Sequence, residues 1–364
     1  MKTFANISIG SIASLLGIQL NGRKAIIQKS NADETRYLKN PINMYLLLNF
    51  YANSNKGITR ILSMKQIADQ LSCTQKNAYR ALYALEDGGM LKVLESPEYG
   101  YVVVQLLGLN DMYKRRGEGG KGYFTCSKSL LQVFLRVKNI AILRTMLTAM
   151  IETVSATVNS ASKILSSVRV SMDALRASFP TSARPSDIRK ACKEDGIFGV
   201  LFSRTEPDLK KSIYVKLQQE YDAKQIKQEI RVKAKRMIFD EIDQINNTIR
   251  AANLSIHEDG MLHCHDAASL LKHQINVWDF LDPMHQTKSL PLLDITSDVK
   301  NSCVTIAQDY GIDTVIDALH TYYQNYLLSD SIDFTPDKDR SLGGLIRSIA
   351  LELCQLSPTV AEPN

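Results

Sequence analysis

The stretch SMKQIADQLSCTQKNAYRALYALEDGGMLKVLESPEYGYVVVQLL, residues 63–107, constrains the fold more than any other. Ser63 and Gln66 have the spacing of a capping box, which predicts a helix over Met64–Leu71. Thr74 can cap a following helix that runs to about Asp87, where Gly88 and Gly89 supply a stop. Within that helix Ala78, Ala81, Leu82 and Leu85 recur at the α-helical period, so they form its buried face. Leu91–Leu94 and Tyr101–Leu107 read as strands joined by the turn Ser-Pro-Glu-Tyr-Gly. Upstream, PINMYLLLNF (41–50) is a further helix with Pro41 in its first turn.

Three helices followed by a two-stranded ribbon make a winged helix-turn-helix. The order recurs further along. SKSLLQVFLRVKN from Ser127 and the segment Ile140–Val158 are helical in pattern, and Ser171–Phe179 is a short helix. Another begins at about Pro185, with Gly196 as its stop, and IFGVLFSR and SIYVKLQ flank the loop TEPDLKK as strands. LEDGGMLKVL at 85–94 echoes KEDGIFGVLF at 193–202, although an insertion at 156–168 stretches the second unit. The fold class expected is mainly α with small β ribbons. Its parts are an N-terminal arm (1–40), a first winged-helix domain (41–109) and a basic Gly-rich linker (110–122). A winged-helix-like second domain (123–218) and a long helix with an acidic helical region (219–364) complete it. Tyr221 to about Ala252 is that long amphipathic helix, with Ile226, Ile230, Met237, Ile242, Ile245 and Ile249 as its apolar stripe. The stripe suits a dimer seam or packing on its own domain. Further helices are expected near 266–281, 295–308, 312–327 and 339–354.

Charge is divided along the chain. Residues 1–236 hold 37 Lys/Arg against 19 Asp/Glu, a net +18, while residues 237–364 hold 7 against 19, a net −12. The first part is therefore expected to meet a polyanion and the last to contact something else. Six scattered cysteines without a C-x-x-C pair fit reduced thiols and a cytoplasmic protein. The apolar run in MKTFANISIGSIASLLGIQLNGRK is broken by Asn6, Ser8, Ser11 and Ser14, which favours a packed arm over an export signal. No segment has the length of apolar sequence that a membrane span needs, so no membrane partner is expected.

The helix over 75–87 carries Gln75, Lys76, Tyr79, Arg80 and Tyr83 opposite its apolar stripe, with Thr74 and Asn77 at its start. Arg and Lys match the guanine edge and Gln or Asn the adenine edge, and a helix start suits phosphate. In the second unit Arg184, Ser186, Arg189, Lys190 and Lys193 lie opposite Ile188, Ala191 and Cys192, and Lys210 and Lys211 fall in its wing. Lys114, Arg115, Arg116 and Lys121 make the linker basic. Both helices suit DNA. They also suit protein contacts, and one unit could dimerise while the other reads sequence.

The residues 63–107 resemble the winged helix-turn-helix superfamily, and two such units in tandem resemble bacterial plasmid and mobile-element replication initiators. The resemblance spans about half the chain and rests on periodicity and stops. It implies binding to duplex DNA, at an origin or operator, commonly on repeated sites. The acidic C-terminal region has no counterpart in that resemblance; it is expected to oligomerise, giving a homodimer, or to recruit a replication or transcription partner. A transcription regulator would use the same parts. Neither reading makes the protein an enzyme or calls for a cofactor.

Five of the six histidines fall between His257 and His285, densest in IHEDGMLHCHDAAS. His257, His263 and His265 are candidate metal ligands, weighed against a plain polar loop. His263-Cys264-His265 also resembles the metal motif of rolling-circle nicking nucleases. That would make Tyr322 or Tyr323 a nucleophile, yet no lysine follows at the family spacing. GEGGKG at 117–122 lacks phosphate-loop spacing, and no G-x-S-x-G or H-E-x-x-H occurs.

Overall fold

A computed structural model describes residues 1–21, 26–29, 38–53, 56–94, 98–114, 118, 120–159, 167–177, 184–193, 196–204, 212–259, 292–327 and 341–356. The protein is mainly helical with small antiparallel sheets. It divides into a unit spanning residues 2–225 and a second that begins at Ile226.

In the first unit β1 (Phe4–Ser8) runs directly into α1 (Ile9–Leu16). The Ser8 hydroxyl accepts from the Ser11 N–H at 3.2 Å, and Gly17 closes the helix at φ 64°. Ile7, Ile9, Ile12, Leu15 and Leu16 are all buried, so the apolar run near the N-terminus is core. A hairpin of β2 (Ile18–Asn21) and β3 (Ile26–Lys29) follows.

Next come α2 (Lys39–Asn49), β4 (Leu62–Ser63), α3 (Met64–Gln70), α4 (Gln75–Asp87), β5 (Leu91–Leu94) and β6 (Tyr101–Leu106). Residues 41–49 of α2 are buried on every side, which is the pattern of a central helix. It packs on α4, whose Ala78, Ala81, Leu82 and Leu85 are buried as their spacing predicts. The strands form one antiparallel sheet in the order β4-β6-β5. The capping box expected at Ser63 is not made: Ser63 occupies the cap position but its side chain accepts no cap hydrogen bond. The neighbouring Met64 N–H, at the first helical position, donates to the Gly100 carbonyl at 2.9 Å, beside the pairing of β4 with β6. The Thr74 cap does form, accepting from the Asn77 N–H at 3.3 Å.

The basic Gly-rich linker is partly packed. A helical turn, α5 (Asn110–Tyr113), buries Met112, and the Tyr113 ring meets Tyr123 at 5.4 Å. These two side chains anchor a segment whose glycines alone suggest a tether.

The order then repeats as β7 (Tyr123–Ser127), α6 (Lys128–Arg136), α7 (Ile140–Asn159), β8 (Val168–Ser171), α8 (Met172–Ala177) and α9 (Pro185–Ala191). It closes with α10 (Ile197–Leu201), β9 (Phe202–Arg204) and β10 (Ser212–Leu217). Ser127 caps α6 as Ser8 caps α1, accepting from the third N–H onward at 3.1 Å. The second sheet has the order β8-β10-β9, matching the first. The halves also meet reciprocally: β1 pairs antiparallel with β7, α1 touches α7, and α6 touches α2.

One expected strand is corrected. IFGVLFSR is helical through Leu201 and extended only over Phe202–Arg204. Phe198, Leu201 and Phe202 are buried together, with the two rings 5.1 Å apart, a spacing that serves a helical turn as well as a strand.

Glu152 lies half-buried on α7, and that burial pushes its carboxyl up to about 7. The folded chain therefore holds a proton that the unfolded chain releases above its ordinary value near 4.5. This contribution is complete below about pH 4.5 and is lost as pH rises through about 7. Glu152→Gln is expected to flatten that decline and to be more stable than the parent above pH 7. The gain should be about 1–2 kcal/mol after allowance for partial exposure, read from denaturant midpoints across pH.

The second unit is built on α11 (Ala223–Asp259), with α12 (Ser297–Tyr310), α13 (Ile312–Tyr322, continued as a π-turn to Leu327) and α14 (Leu342–Leu356). Ala234, Ile238, Ile242, Ile245 and Ile249 are buried against Cys303, Val315, Leu319, Tyr323 and Ile346. Of the expected apolar stripe, Ile242, Ile245 and Ile249 are thus covered by the unit's own helices. Asn246 pins the approach to α12, donating to the Leu293 carbonyl at 3.0 Å and accepting its N–H at 2.8 Å. The helix expected near 266–281 lies outside the described residues.

Candidate nucleic-acid interface

Helix α4 separates its two faces cleanly. While Ala78, Ala81, Leu82 and Leu85 are at most 3% exposed, Thr74, Gln75, Lys76, Asn77, Arg80 and Tyr83 are exposed and Tyr79 is half-buried. All seven are candidate contact residues, and the fold leaves them available. Apolar side chains at the helical period dictate that result, because packing on α2 leaves only the opposite arc for polar groups. The arc offers two cations, two amide side chains and two phenols. Tyr79 and Tyr83, one turn apart, stack with ring centroids at 6.3 Å and planes 21° apart.

One further tyrosine, not singled out by sequence, joins this surface. Tyr99, in the turn between β5 and β6, is fully exposed. The Tyr79 hydroxyl is pushed up from its ordinary value, first by loss of solvent and then by the nearby phenols of Tyr99 and Tyr83. The turn thus brings a third ring towards α4. An exposed tyrosine inside a Pro-Glu-Tyr-Gly turn was the available signal. Glu86, at the far end of α4, is occupied in the fold: its carboxylate accepts the Val93 N–H at 2.8 Å.

Helix α9 is shorter and more basic. Arg184, Ser186, Lys190 and Lys193 are exposed, and Arg189 is half-buried. Ile188, Ala191 and Cys192 form its buried side. The Asp187 carboxylate accepts the Arg184 N–H at 3.1 Å and fixes the helix start. Arg204 in β9 ties the sheet to the end of this helix, donating to the Cys192 carbonyl at 2.6 Å. Lys114 and Lys121 are exposed, and the stem of Lys121 crosses Gly10 so closely that a Cβ there would lie 2.9 Å from its Cδ. Arg115, Arg116, Lys210 and Lys211 lie outside the described residues.

His263 and His265 also lie outside them, and of His257 only the backbone, within α11, is described. Among the described residues no three His, Cys, Asp or Glu side chains gather to hold a metal ion. Tyr322 and Tyr323, the candidate nucleophiles of the nicking reading, are 7% and 0% exposed and belong to the core of the second unit. Burial pushes both hydroxyls up. Among the described residues no helix is long and apolar enough to cross a membrane.

Comparison with protein-family models, with curated proteins and with solved structures returns no match.

Proposed function

We propose that the protein is a sequence-specific duplex-DNA binder built from two winged-helix modules, acting as a replication initiator of plasmid or mobile-element type. The observation that carries this reading is α4. It is a capped helix behind a short turn from α3, followed by a hairpin, with its apolar arc buried and Gln75, Lys76, Asn77 and Arg80 exposed. Such a helix fits the major groove, where Arg recognises guanine and Gln or Asn recognises adenine. A similar element order, with the helical turn α10 added before β9, and the same sheet order recur around α9. One chain then carries two reading helices and suits adjacent half-sites. Lys114 and Lys121, between the modules in sequence, add phosphate contacts. The protein works as a homodimer, and the C-terminal unit recruits a replication or transcription partner. Transcription regulation is the alternative role, because a promoter is read with the same parts.

The test is selection of bound fragments from random duplex DNA, with parent and variants in parallel. A shared sequence motif is the expected result. Arg80→Ala should relax base preference at one position and cost about 1–3 kcal/mol there. Lys114→Ala should weaken all sequences alike and lower the salt slope by about 1. Recovery of fragments that share no motif would sink the sequence-specific reading.

A further inference from the structure

The net charge of −12 over residues 237–364 suggests that the C-terminal unit avoids nucleic acid. Its leading helix argues otherwise. Residues 224–236 of α11 contain six Lys/Arg and a single acid, Glu229. Lys224, Arg231, Lys233, Lys235 and Arg236 are exposed, and Lys227 is half-buried. Steps of three and four residues align Lys224, Lys227, Arg231 and Lys235 in one stripe about 16 Å long, with neighbours about 5–6 Å apart. The adjoining apolar stripe of Ala223, Ile226, Ile230, Ala234 and Met237 provides the packing side.

Packing does not account for the exposed cations of this stretch, and ion pairing within the described residues does not account for Lys224, Arg231 or Lys233. Among the described residues no carboxylate lies within ion-pair distance of Lys224, Arg231 or Lys233. The Lys235 ammonium sits over the Phe239 ring at 5.9 Å, and Arg236 meets Asp240 at 3.7 Å in an exposed pair of little strength. On α12, Gln308 donates to the Lys227 carbonyl at 2.8 Å, and the neighbouring Asp309 is already held by Arg347 at 3.1 Å. The stripe also starts just beyond the second module. β10 ends at Leu217, a short 3-10 turn covers Gln219–Tyr221, and the Asp222 carboxylate accepts the Lys224 N–H at 2.9 Å.

We infer that Lys224, Lys227, Arg231 and Lys235 form a phosphate-binding stripe on α11 that takes duplex DNA; this rests on the DNA-binding reading above. A regular row of cations over about 16 Å of helix matches a polyanion with a phosphate every ~3.4 Å of axis on each strand. A membrane surface fits poorly, because Val232 is the only large apolar side chain exposed on this part of the helix, which leaves nothing to insert.

The experiment uses the full-length chain and the triple variant Lys224→Glu, Arg231→Glu, Lys235→Glu, with far-UV circular dichroism to verify helix content. Binding is measured on a selected duplex and on a random duplex of about 30 base pairs, from low to moderate salt. The variant should bind both duplexes about 10- to 100-fold more weakly, with a log–log salt slope shallower by about 2–3. The milder Lys224→Gln, Arg231→Gln, Lys235→Gln variant should follow with a smaller loss, so a folding defect in the first does not decide the matter. Unchanged affinity and slope in a protein that still binds duplex overturns the stripe alone. An effect confined to oligomeric state, or to anionic vesicles, assigns this surface to another partner and also overturns it. If the parent chain binds no duplex at all, the underlying reading falls first.

Discussion

Reversing charge on both candidate reading helices at once, Lys76→Glu and Arg80→Glu on α4 with Lys190→Glu and Lys193→Glu at α9, should reduce duplex-DNA affinity by about 1,000-fold or more. The reasoning is additive. Each reversal removes an attraction to phosphate or base and introduces a repulsion, and the two helices belong to different halves of the first unit and pack on different partners, α4 on α2 and α9 on α7. All four side chains are exposed, so the fold should survive, with an unchanged melting profile as the control. Reversal of either pair alone should give about the square root of the combined effect, if both modules touch DNA. A different pattern discriminates the alternative. Should the α9 pair leave affinity intact and shift the sedimentation behaviour, the second module is a subunit contact and only α4 reads sequence. Should the fourfold variant bind as tightly as the parent, neither helix faces DNA and the proposed function is wrong.

How much of this was legible in the sequence depends on how local the cause was. The buried arc of α4 follows from four residues at helical spacing, and the Thr74 cap and the glycine stop follow from backbone chemistry within a turn. These required no knowledge of distant contacts. The absent Ser63 cap was not legible in this way, since Ser63 also lies in β4 opposite Tyr101, a pairing that no local pattern announces. The helical turn at Ile197–Leu201 was illegible because a short apolar run fits both periods, and only burial beside Phe202 decides between them. The pairing of β1 with β7 could not be read from either strand alone. The charge boundary misled in a further way. A charge sum over 237–364 leaves out the basic start of α11, although the second unit begins at Ile226 and holds five of the six cations of that stretch. Tyr99 was missed because an aromatic residue is expected to be inside, and only the shape of the turn puts it out.

The second unit offers the other large effect. His320 on α13 is 8% exposed, and its Nε2 lies 3.1 Å from the Glu241 carboxylate on α11. An ionised carboxylate only accepts, so Nε2 must carry the proton and donate. The remaining ring nitrogen, Nδ1, is buried without a partner among the described residues. Glu241→Ala would leave both ring nitrogens unsatisfied beside Leu319 and Tyr323, and the residue could not turn to water without opening the contact between α11 and α13. The expected loss is about 2–4 kcal/mol, the range for orphaning one member of a buried pair, discounted for the partial exposure of the carboxylate. Glu241→Gln keeps an acceptor in place and should lose only about 1 kcal/mol. Paired removal, Glu241→Leu with His320→Leu, should recover most of the difference, because two apolar groups need no partners. Denaturant unfolding of the full chain measures all three. A Glu241→Ala variant as stable as its parent would mean that water reaches His320 freely, and that the apolar packing of Ile238, Ile242, Ile245 and Ile249 alone holds these helices together.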